Sequence, residues 1–464
     1  MRQSELIVLI IILTLLVIFI FYIKRLKQLE RNKKLQFVGD EDECDNTVCP
    51  TEEFPCLTAW FYTFDQIFSD NTQTPTAVFQ TVGVQSDGKT VVATKYAVVA
   101  DNFVQRFNTD GTVDGTFTPP TFPVLWSSGQ WKMIEFSSDG SIFIVGESTP
   151  TGTGERSMIL LKLQPSGAFD LTFGSGGYWF DDLTVTTASE GHSLLLMDNG
   201  QILVGGMIRE IANPNAATVA RINADGTVDT TFGTSGFYWL NQSFSDYGEV
   251  HGLGIQTDGK IVAGGFFANL SGSIYGLGAM RLNANGTLDL TYNGGLGFIA
   301  DNVDGLDGQG TSATFLNGEM FVGGWTFNSA LNYNVQTIMK IKNDGTLDTA
   351  WGNDAGRFYD DPDPLTIVPS KYSQVNGVAP VCDGGIFVIG FTEPSLSANR
   401  KGFLYKLRAN GTLDLTFGDG NGYALSTGFK DYRDLFQHQV TQLYVVGTTN
   451  ATDSQVYKFD LTAF

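Results

Sequence analysis

A stretch in the middle of the chain decides the fold: residues 258–265 read DGKIVAGG and residues 279–298 read AMRLNANGTLDLTYNGGLGF. The first string is a tight turn followed by a short apolar strand that ends in glycine. The second contains a strand, a turn, and an aspartate that an aromatic residue follows three positions later. Both strings recur along the chain, and such a period is typical of a repeat architecture.

The turn-and-strand string occurs seven times. It begins at Asp87, Asp139, Asn199, Asp258, Asn317, Asp383 and Thr441. The first six copies place a glycine second in the turn, and the unit is about 60 residues long. Each unit holds four short alternating runs separated by DG, NG and GG pairs. In the fourth unit these runs cover roughly 250–255, 260–266, 276–283 and 295–300, so we predict four strands per unit.

The second string follows each of the first six copies. Its aspartates are Asp114, Asp170, Asp229, Asp289, Asp348 and Asp414, and the aromatic residues are Phe117, Phe173, Phe232, Tyr292, Trp351 and Phe417. After the seventh copy the chain reads VYKFDLTAF and stops. A counterpart of the missing piece lies at the other end, where FDQIFS at 64–69 resembles FDLTFG at 169–174.

This split unit predicts a closed ring. We expect residues 57–464 to form an all-β domain, a seven-bladed β-propeller of four-stranded blades closed by pairing N- and C-terminal strands. Closure removes the free strand edges that an open array exposes. The alternative is an open β-solenoid, which would need capping repeats rather than a split one.

The two strings resemble the delta-60 repeat, a β-propeller repeat of bacterial proteins and of some large DNA viruses. The resemblance covers about residues 60–464, and six of the seven units match well. It implies the propeller fold and no particular activity. It also makes a viral membrane or a minor virion component an expected setting.

An apolar segment precedes the repeats. Residues 6–23 read LIVLIIILTLLVIFIFYI, which at about 1.5 Å per residue is long enough to cross a bilayer as a helix. We predict a short tail at 1–5, a transmembrane helix at 6–23, a basic juxtamembrane helix at 24–38 and an acidic linker at 39–56. A cleaved signal peptide is the alternative, but no small-residue cleavage site follows.

The flanks of this segment predict its orientation. Six basic residues lie within 24–34, and positive charge stays on the cytosolic side, so the propeller is expected in the cytosol. Cys44, Cys49 and Cys56 favour the opposite side if they form a disulfide. The spacing does not fit a zinc site, and Cys382 lies far away in the sequence. We give the charge asymmetry more weight than the thiols.

Composition narrows the function classes. The chain has 28 basic and 49 acidic residues, a net charge of −21, and this excess of negative charge excludes a nucleic-acid binder. Residues 1–79 carry 7 basic and 11 acidic residues, so the remaining 21 and 38 leave the propeller strongly acidic. An acidic propeller predicts a basic protein partner, although solubility alone also explains the charge.

The repeated aspartates suggest two roles. The string N-x-D-G-T-V-D at 108–114 and 223–229 faintly resembles a calcium loop, but it lacks the ligand ladder and the late glutamate. We favour aspartates that accept backbone N–H bonds in a turn.

Two histidines share one position in the repeat. His192 and His251 each lie seven residues before a turn-and-strand string, and each follows a glutamate by two residues, Glu190 and Glu249. Neighbouring innermost strands would place them together, where two histidines and two glutamates could bind a transition metal. The alternative is a set of polar residues lining a wet channel, and we predict no metal or cofactor.

Other chemistry finds little support. The serines of GESTPTG and GTSAT lie in no nucleophile-elbow string, and His438 has no comparable context. Accidental carboxylate pairs are expected among so many acidic residues. The aromatic residues Trp126, Trp131, Trp179, Trp239 and Trp325 either stack on sugars or fill the wedges between blades.

We therefore predict a single-pass membrane protein whose propeller is a structural or protein-interaction platform, anchored in the bilayer by its N-terminal helix. With no catalytic signature, binding is the expected role of a propeller. The alternatives are a surface adhesin that binds glycans, which needs the opposite topology, and a propeller enzyme.

Overall fold

The structure is a computed structural model, in which residues Cys56–Phe464 form one compact unit. The structure describes residues 60–68, 78–95, 103–119, 126–150, 155–181, 186–210, 215–240, 247–268, 275–301, 307–329, 333–359, 372–381, 383–393, 400–417, 422–426, 431–438, 442–448 and 454–463. The predicted tail, membrane helix, basic helix and linker, with Cys44, Cys49 and Cys56, lie outside these residues, as does Cys382. In the described part, no helix combines the length and the apolar character needed to cross a bilayer.

The described residues form 27 strands and one 3₁₀ turn at Tyr292–Gly295. The strands are β1 (Trp60–Phe68), β2 (Val78–Val84), β3 (Thr90–Lys95), β4 (Val104–Phe107), β5 (Trp126–Phe136), β6 (Ile142–Pro150), β7 (Ser157–Leu163), β8 (Tyr178–Phe180), β9 (Thr186–Leu196), β10 (Ile202–Glu210), β11 (Asn215–Ile222), β12 (Phe237–Trp239), β13 (Gly248–Ile255), β14 (Ile261–Ala268), β15 (Tyr275–Leu282), β16 (Phe298–Asp301), β17 (Gly308–Leu316), β18 (Glu319–Asn328), β19 (Tyr333–Ile341), β20 (Arg357–Tyr359), β21 (Tyr372–Pro380), β22 (Ile386–Glu393), β23 (Lys401–Leu407), β24 (Tyr423–Leu425), β25 (Asp431–His438), β26 (Gln442–Thr448) and β27 (Ser454–Ala463).

These strands make seven antiparallel sheets, one for each predicted blade. Blade 1 holds β2–β4, blade 2 β5–β8, blade 3 β9–β12, blade 4 β13–β16, blade 5 β17–β20, blade 6 β21–β24, and blade 7 β25–β27 with β1. Blade 1 shows three strands among the described residues, and the others have four. The all-β, seven-bladed prediction is confirmed.

The blades form a closed ring. The first strand of every blade contacts the first strand of the next, and β25 of blade 7 contacts β2 of blade 1. The outermost strand of blade 7 is β1, which pairs antiparallel with β27 from Trp60 opposite Ala463 to Phe68 opposite Val456. The predicted closure by strands from the two ends is therefore confirmed, and it protects the edge of β27.

The local reading of FDQIFS was wrong in one respect. In blade 2 the resembled aspartate, Asp170, lies in a turn before the short strand β8. At the N-terminal end, Asp65 instead lies inside β1, at a bulge between Phe64 and Gln66. The physical reason is connectivity: β1 is not joined to β27 by a turn, so it can pair along nearly the whole of that strand.

The hydrophobic core is divided among the joints between blades. Seven clusters of buried residues occur in the described part, and each combines residues of two consecutive blades. The closing joint has its own cluster, with Phe79 and Val82 of blade 1 against Tyr444 and Val456 of blade 7. The aromatic residue of the second string is buried at a joint in all six copies, so it fills the wedge between two sheets.

The repeated aspartate organises the turn before the fourth strand. Asp229 Oδ1 accepts hydrogen bonds from the Thr231 hydroxyl at 2.6 Å and from its backbone N–H at 3.0 Å. Its other oxygen accepts from Arg221 Nε at 2.8 Å. Each copy has a basic partner eight residues earlier, in Arg106–Asp114, Lys162–Asp170, Arg221–Asp229, Arg281–Asp289, Lys340–Asp348 and Lys406–Asp414.

The arginine of this pair also joins neighbouring blades. Arg221 lies over the ring of Phe232, with the guanidinium carbon 4.6 Å from the ring centroid. Its Nη1 donates to the carbonyl oxygen of Ala284 in the next blade at 2.6 Å. Blades 1 and 4 repeat this bond through Arg106 and Arg281. One side chain thereby fixes a turn, a wedge aromatic and the adjacent blade.

The two ends of the propeller differ. One end, which we call the turn face, carries the tight turns between first and second and between third and fourth strands. The six glycines of the first-to-second turns, at 88, 140, 200, 259, 318 and 384, have φ near +80°. The other end, the loop face, is where the remaining connections leave and re-enter the sheets. These connections range from 211–214 between β10 and β11 to 360–371 between β20 and β21.

Every innermost strand is bulged. The bulge residue has no partner on the second strand, and the seven such residues are Gln80, Lys132, His192, His251, Thr311, Asn376 and Arg433. A bulge bends its strand and redirects a side chain. It also brings a carbonyl close to the second strand: a Cβ on Gly324 would lie 1.8 Å from the Gln309 oxygen.

This contact explains the glycine that ends the turn-and-strand string. The same approach occurs in blades 2 to 6, where a Cβ would lie within 2.0 Å of the facing carbonyl oxygen at Gly146, Gly206, Gly265, Gly324 and Gly390. Blade 1 has Thr94 at this position. A glycine at the end of the turn-and-strand string therefore indicates a bulge in the facing innermost strand.

The closing strand can be tested by deletion. A chain that lacks residues 57–72 loses β1, so β27 keeps an unpaired edge. We expect its melting temperature to fall by at least about 5 °C and the protein to aggregate. The measurement is calorimetry with light scattering. Deletion of residues 1–56, which keeps β1, is the matched control; equal melting temperatures for the two chains would contradict closure by this strand.

The bulge contact predicts a large effect of one methyl group. Gly324→Ala places its Cβ against the Gln309 carbonyl, and we expect the free energy of unfolding to drop by about 3 kcal/mol in urea titrations. Gly115→Ala is the control, because nothing lies within 4 Å of its Cβ position. A similar small change for both variants would show that the strands can separate without cost.

Candidate functional site

The seven bulge residues form a polar ring around the propeller axis, which we call the axial ring. It consists of Gln80, Lys132, His192, His251, Thr311, Asn376 and Arg433. His192 is buried and the other six are half-buried. Bulges cluster beside functional sites because they redirect side chains, so the axial ring is the candidate site.

Side chains of the ring bond from blade to blade. Asn376 of blade 6 donates to Asp431 Oδ1 at 3.2 Å and to the Tyr432 carbonyl at 2.6 Å in blade 7. Arg433 of blade 7 donates to Gln80 Oε1 of blade 1 at 3.3 Å. Thr311 donates to the Val375 carbonyl of the next blade. The ring is thus held in place by contacts that exist only because the blades are adjacent.

The two histidines meet, as their shared position in the repeat predicted. The ring centroids of His192 and His251 are 4.5 Å apart. Glu249 Oε2 lies 3.2 Å from His251 Nε2 and 3.4 Å from His192 Nδ1. Glu190 Oε2 lies 3.2 Å from His192 Nε2. Two imidazoles and two carboxylates therefore form one cluster, the His–Glu cluster, across the joint of blades 3 and 4.

The charges of this cluster are mutually adjusted. Burial opposes ionisation of Glu249, but the hydrogen bond from His251 and the neighbouring His192 hold its pKa at about 2. Burial lowers the pKa of His251, and the nearby His192 adds to that effect. Glu190 is desolvated too, yet the His192 contact and Arg156 keep its pKa below the usual value. The cluster thus favours ionised carboxylates beside a neutral His251.

An ion pair between an exposed arginine and two largely buried carboxylates supports the cluster. Arg156 Nη1 lies 2.5 Å from Glu190 Oε1 and 3.0 Å from Glu147 Oε2. Glu147 is 2% exposed. Because a carboxylate held by a guanidinium cannot easily turn away, Arg156 fixes the oxygen that faces His192.

Another carboxylate lies at the closing joint. Asp434 follows the bulge of β25, and its Oδ2 accepts from the Thr81 hydroxyl at 2.7 Å and the Val82 N–H at 3.1 Å in blade 1. Desolvation raises its pKa to about 6 despite these bonds. Desolvation likewise raises the pKa of Glu135 to about 7, and the charge of Asp434 contributes.

The other sequence candidates have structural roles. Each repeated aspartate has a basic partner, and all but Asp348 also accept a hydrogen bond from a threonine hydroxyl, which favours the turn interpretation over the calcium loop. Hydrogen bonds from Thr231 hold the pKa of Asp229 at about 2, while desolvation acts against them. Trp131 and Trp179 are buried in the wedges between blades, and Trp239 and Trp325 are half-buried. The side chains of Trp126 and His438 lie outside the described residues.

Sequence reasoning missed the bulges and the basic partners of the aspartates. Both left a signal: the glycine facing each bulge, and a lysine or arginine eight residues before each repeated aspartate. It also missed Arg156 and Asp434, which no repeat position marks.

Asp434 predicts a pH-dependent stability. Its pKa is higher in the folded chain than in the unfolded one, so its contribution is full below about pH 4 and is lost as pH rises through about 6. Asp434→Asn keeps an acceptor for Thr81 and Val82 but cannot ionise. We expect the variant to match the parent near pH 4 and to exceed it by about 1–2 kcal/mol at pH 8 in denaturant titrations, a value reduced for partial exposure.

The exposed Asp87→Asn serves as the control, with a constant difference from the parent across this range. If the Asp434→Asn difference were also constant between pH 4 and 8, the raised pKa would be contradicted.

Comparisons with solved structures give only distant similarity. A catalytically inactive virginiamycin B lyase from Staphylococcus aureus, crystallised with quinupristin, is 12% identical, with 86% of this chain and 100% of that chain covered and a TM-score of 0.45. YCF48 from Cyanidioschyzon merolae is 10% identical over 86% and 99%, with a TM-score of 0.44. The PQQ-bound aldose sugar dehydrogenase from Streptomyces coelicolor is 10% identical over 87% and 98%, with a TM-score of 0.41. No activity is inferred from these similarities.

No curated protein matches the chain significantly. A family model does match four segments, residues 85–117, 137–173, 198–232 and 256–292, and its description is a β-propeller domain of unknown function, DUF5122. Each segment runs from a turn-and-strand string to the aromatic residue of the second string. Four of the seven repeats therefore match the DUF5122 β-propeller model, which bears out the resemblance to the delta-60 repeat.

Proposed function

We propose that this protein is a single-pass membrane protein whose propeller is a platform for a basic protein partner bound at the loop face. The observation that carries the proposal is the contrast between the two faces. The turn face is built from repeated turns, and those before the fourth strands are fixed by an aspartate and its basic residue. The loop face joins the same strands by connections that differ in length from blade to blade. Unrepeated loops on a rigid scaffold are where binding specificity usually resides.

The path of the chain supports this choice of face. Trp60, the first residue of β1, pairs with Ala463 at the turn-face end of β27. The polypeptide therefore enters the propeller at the turn face. The strand that completes blade 7 thus begins at the turn face, at the opposite end from the unrepeated connections.

Charge supports a basic partner. Residues 80–464 hold 21 of the 28 basic and 38 of the 49 acidic residues, and the sequence that links β20 to β21, residues 360–371, reads DDPDPLTIVPSK. Complementary charge steers association and excludes acidic competitors.

The membrane part of the proposal rests on the sequence of residues 6–34. An apolar segment of 18 residues at 6–23 is followed by Lys24, Arg25, Lys27, Arg31, Lys33 and Lys34. The positive-inside rule then puts the propeller in the cytosol. The same arrangement would serve in a virion membrane, where the platform would face the interior.

The proposal predicts that loop-face charge controls binding. In Asp360→Asn/Asp361→Asn/Asp363→Asn the side chains keep their size and lose their charge. We expect the partner that co-purifies with the detergent-extracted chain to bind at least about tenfold more weakly, with a smaller dependence on salt. The control is Asp87→Asn/Asp198→Asn/Asp258→Asn, which removes three exposed charges from the turn face.

Protease treatment of intact membranes completes the test. We expect the propeller to be cleaved only by protease on the cytosolic side. Cleavage only from the opposite side would support the glycan-binding adhesin. Loss of the partner in the turn-face variant alone would place the interaction on the wrong face and contradict the proposal.

A further inference from the structure

The His–Glu cluster has the composition of a metal site. His192, Glu249 and His251 each offer one ligand atom, and these atoms lie within 4.8 Å of one another. Imidazole nitrogen with carboxylate oxygen is a donor set that suits zinc and its neighbours in the first transition row. Elsewhere the axial ring carries glutamine, lysine, threonine, asparagine and arginine, so this donor set belongs to the joint of blades 3 and 4.

The distances fit such an ion. Zinc binds nitrogen and oxygen at about 2.1 Å, so two ligand atoms of a tetrahedral site lie about 3.4 Å apart. Glu249 Oε2 is 3.2 Å from His251 Nε2 and 3.4 Å from His192 Nδ1. Two edges of the tetrahedron are thus already formed, and only the separation of the two imidazoles has to shorten.

A second observation points to a cation independently of that geometry. His192 is 8% exposed, and its Nδ1 has no hydrogen-bond partner among the described residues. The other ring nitrogen, Nε2, is held by Glu190 Oε2 at 3.2 Å. With its hydrogen on Nε2, His192 directs the Nδ1 lone pair towards a carboxylate oxygen at 3.4 Å. Two buried acceptors that face each other repel, because neither supplies a hydrogen. A positive charge between His192 Nδ1 and Glu249 Oε2 would stabilise them.

Glu190 then has the position of a supporting carboxylate. Histidines that bind metals usually donate their second N–H to a carboxylate, which fixes the ring and raises its basicity. Glu190 offers that acceptor to His192, and Arg156 holds Glu190 in turn at 2.5 Å.

We propose that His192 Nδ1, His251 and Glu249 bind a single divalent transition-metal ion, with zinc as the reference ion, at the joint of blades 3 and 4. Glu190 and Arg156 are positioning residues for His192. Three protein ligands leave one position of a tetrahedral ion for water or for a donor group of a bound molecule. The site does not depend on a partner at the loop face, so either proposal can fail alone.

Zinc binding by the full chain is the test. The detergent-extracted chain is stripped with chelator, offered zinc, and freed of excess metal. The parent carries Cys44→Ser, Cys49→Ser and Cys56→Ser, because thiolates would bind zinc themselves. We expect one zinc ion per chain by elemental analysis and a higher melting temperature with zinc than without it.

Variants locate the site. His192→Ala, His251→Ala and Glu249→Gln should each lower the zinc affinity more than about 100-fold in competition with a chromogenic chelator, and Glu190→Gln about 10- to 100-fold. His438→Ala, which removes the third histidine of the chain, should leave the affinity unchanged. The melting temperature of each metal-free variant shows whether it is folded.

X-ray absorption of the zinc-loaded parent needs no cluster variant. We expect two imidazoles and oxygen at about 2.0–2.1 Å, with no sulfur at about 2.3 Å. The proposal is overturned if the folded parent binds no stoichiometric zinc, cobalt or copper, which would leave a proton as the charge between His192 and Glu249. It is also overturned by sulfur ligands, by fewer than two imidazoles, or by full zinc binding in a folded His192→Ala/His251→Ala chain.

Discussion

The pairing of β1 with β27 is the contact on which the rest of the ring depends. Every other joint connects blades that follow one another in the chain, whereas this ladder brings together strands from the two ends of the domain. It completes blade 7, and blade 7 supplies the wedge cluster and the Asp434 bonds that join it to blade 1. The axial ring needs all seven innermost strands, so the geometry of the candidate site depends on the same closure.

Much of this fold could be predicted from local strings of the sequence. The turn glycines and the aspartate with its aromatic residue recur often enough to count the blades, because each acts within one turn or one wedge. The split unit predicted closure as well. The detailed match of FDQIFS to FDLTFG was wrong at Asp65, because a strand that pairs without a connecting turn has no need of the turn that the motif forms.

The candidate site was harder to predict, because it depends on register and on neighbours distant in sequence. The shared repeat position of His192 and His251 placed them on adjacent innermost strands, and that expectation was correct. The bulges were not expected, although the sequence shows the glycine that faces each of them. The reason for this glycine is the carbonyl oxygen of the bulged strand, which leaves no space for a Cβ, and only the structure shows that contact. Arg156 and Asp434 stand outside the repeat, so no periodicity could reveal their contacts.

The aspartate and its basic partner have a consequence for how such a protein can change over time. Because the pair secures the turn, the wedge and, through arginine, the following sheet, a unit copied from one place carries most of its own attachment to the next. One unit could then be replaced by a copy of another with these contacts preserved, whereas blade 7 is completed by β1, which no turn joins to β27. Variation in length is therefore expected in the connections at the loop face, because a change there leaves the aspartate, its basic partner and the wedge aromatic in place.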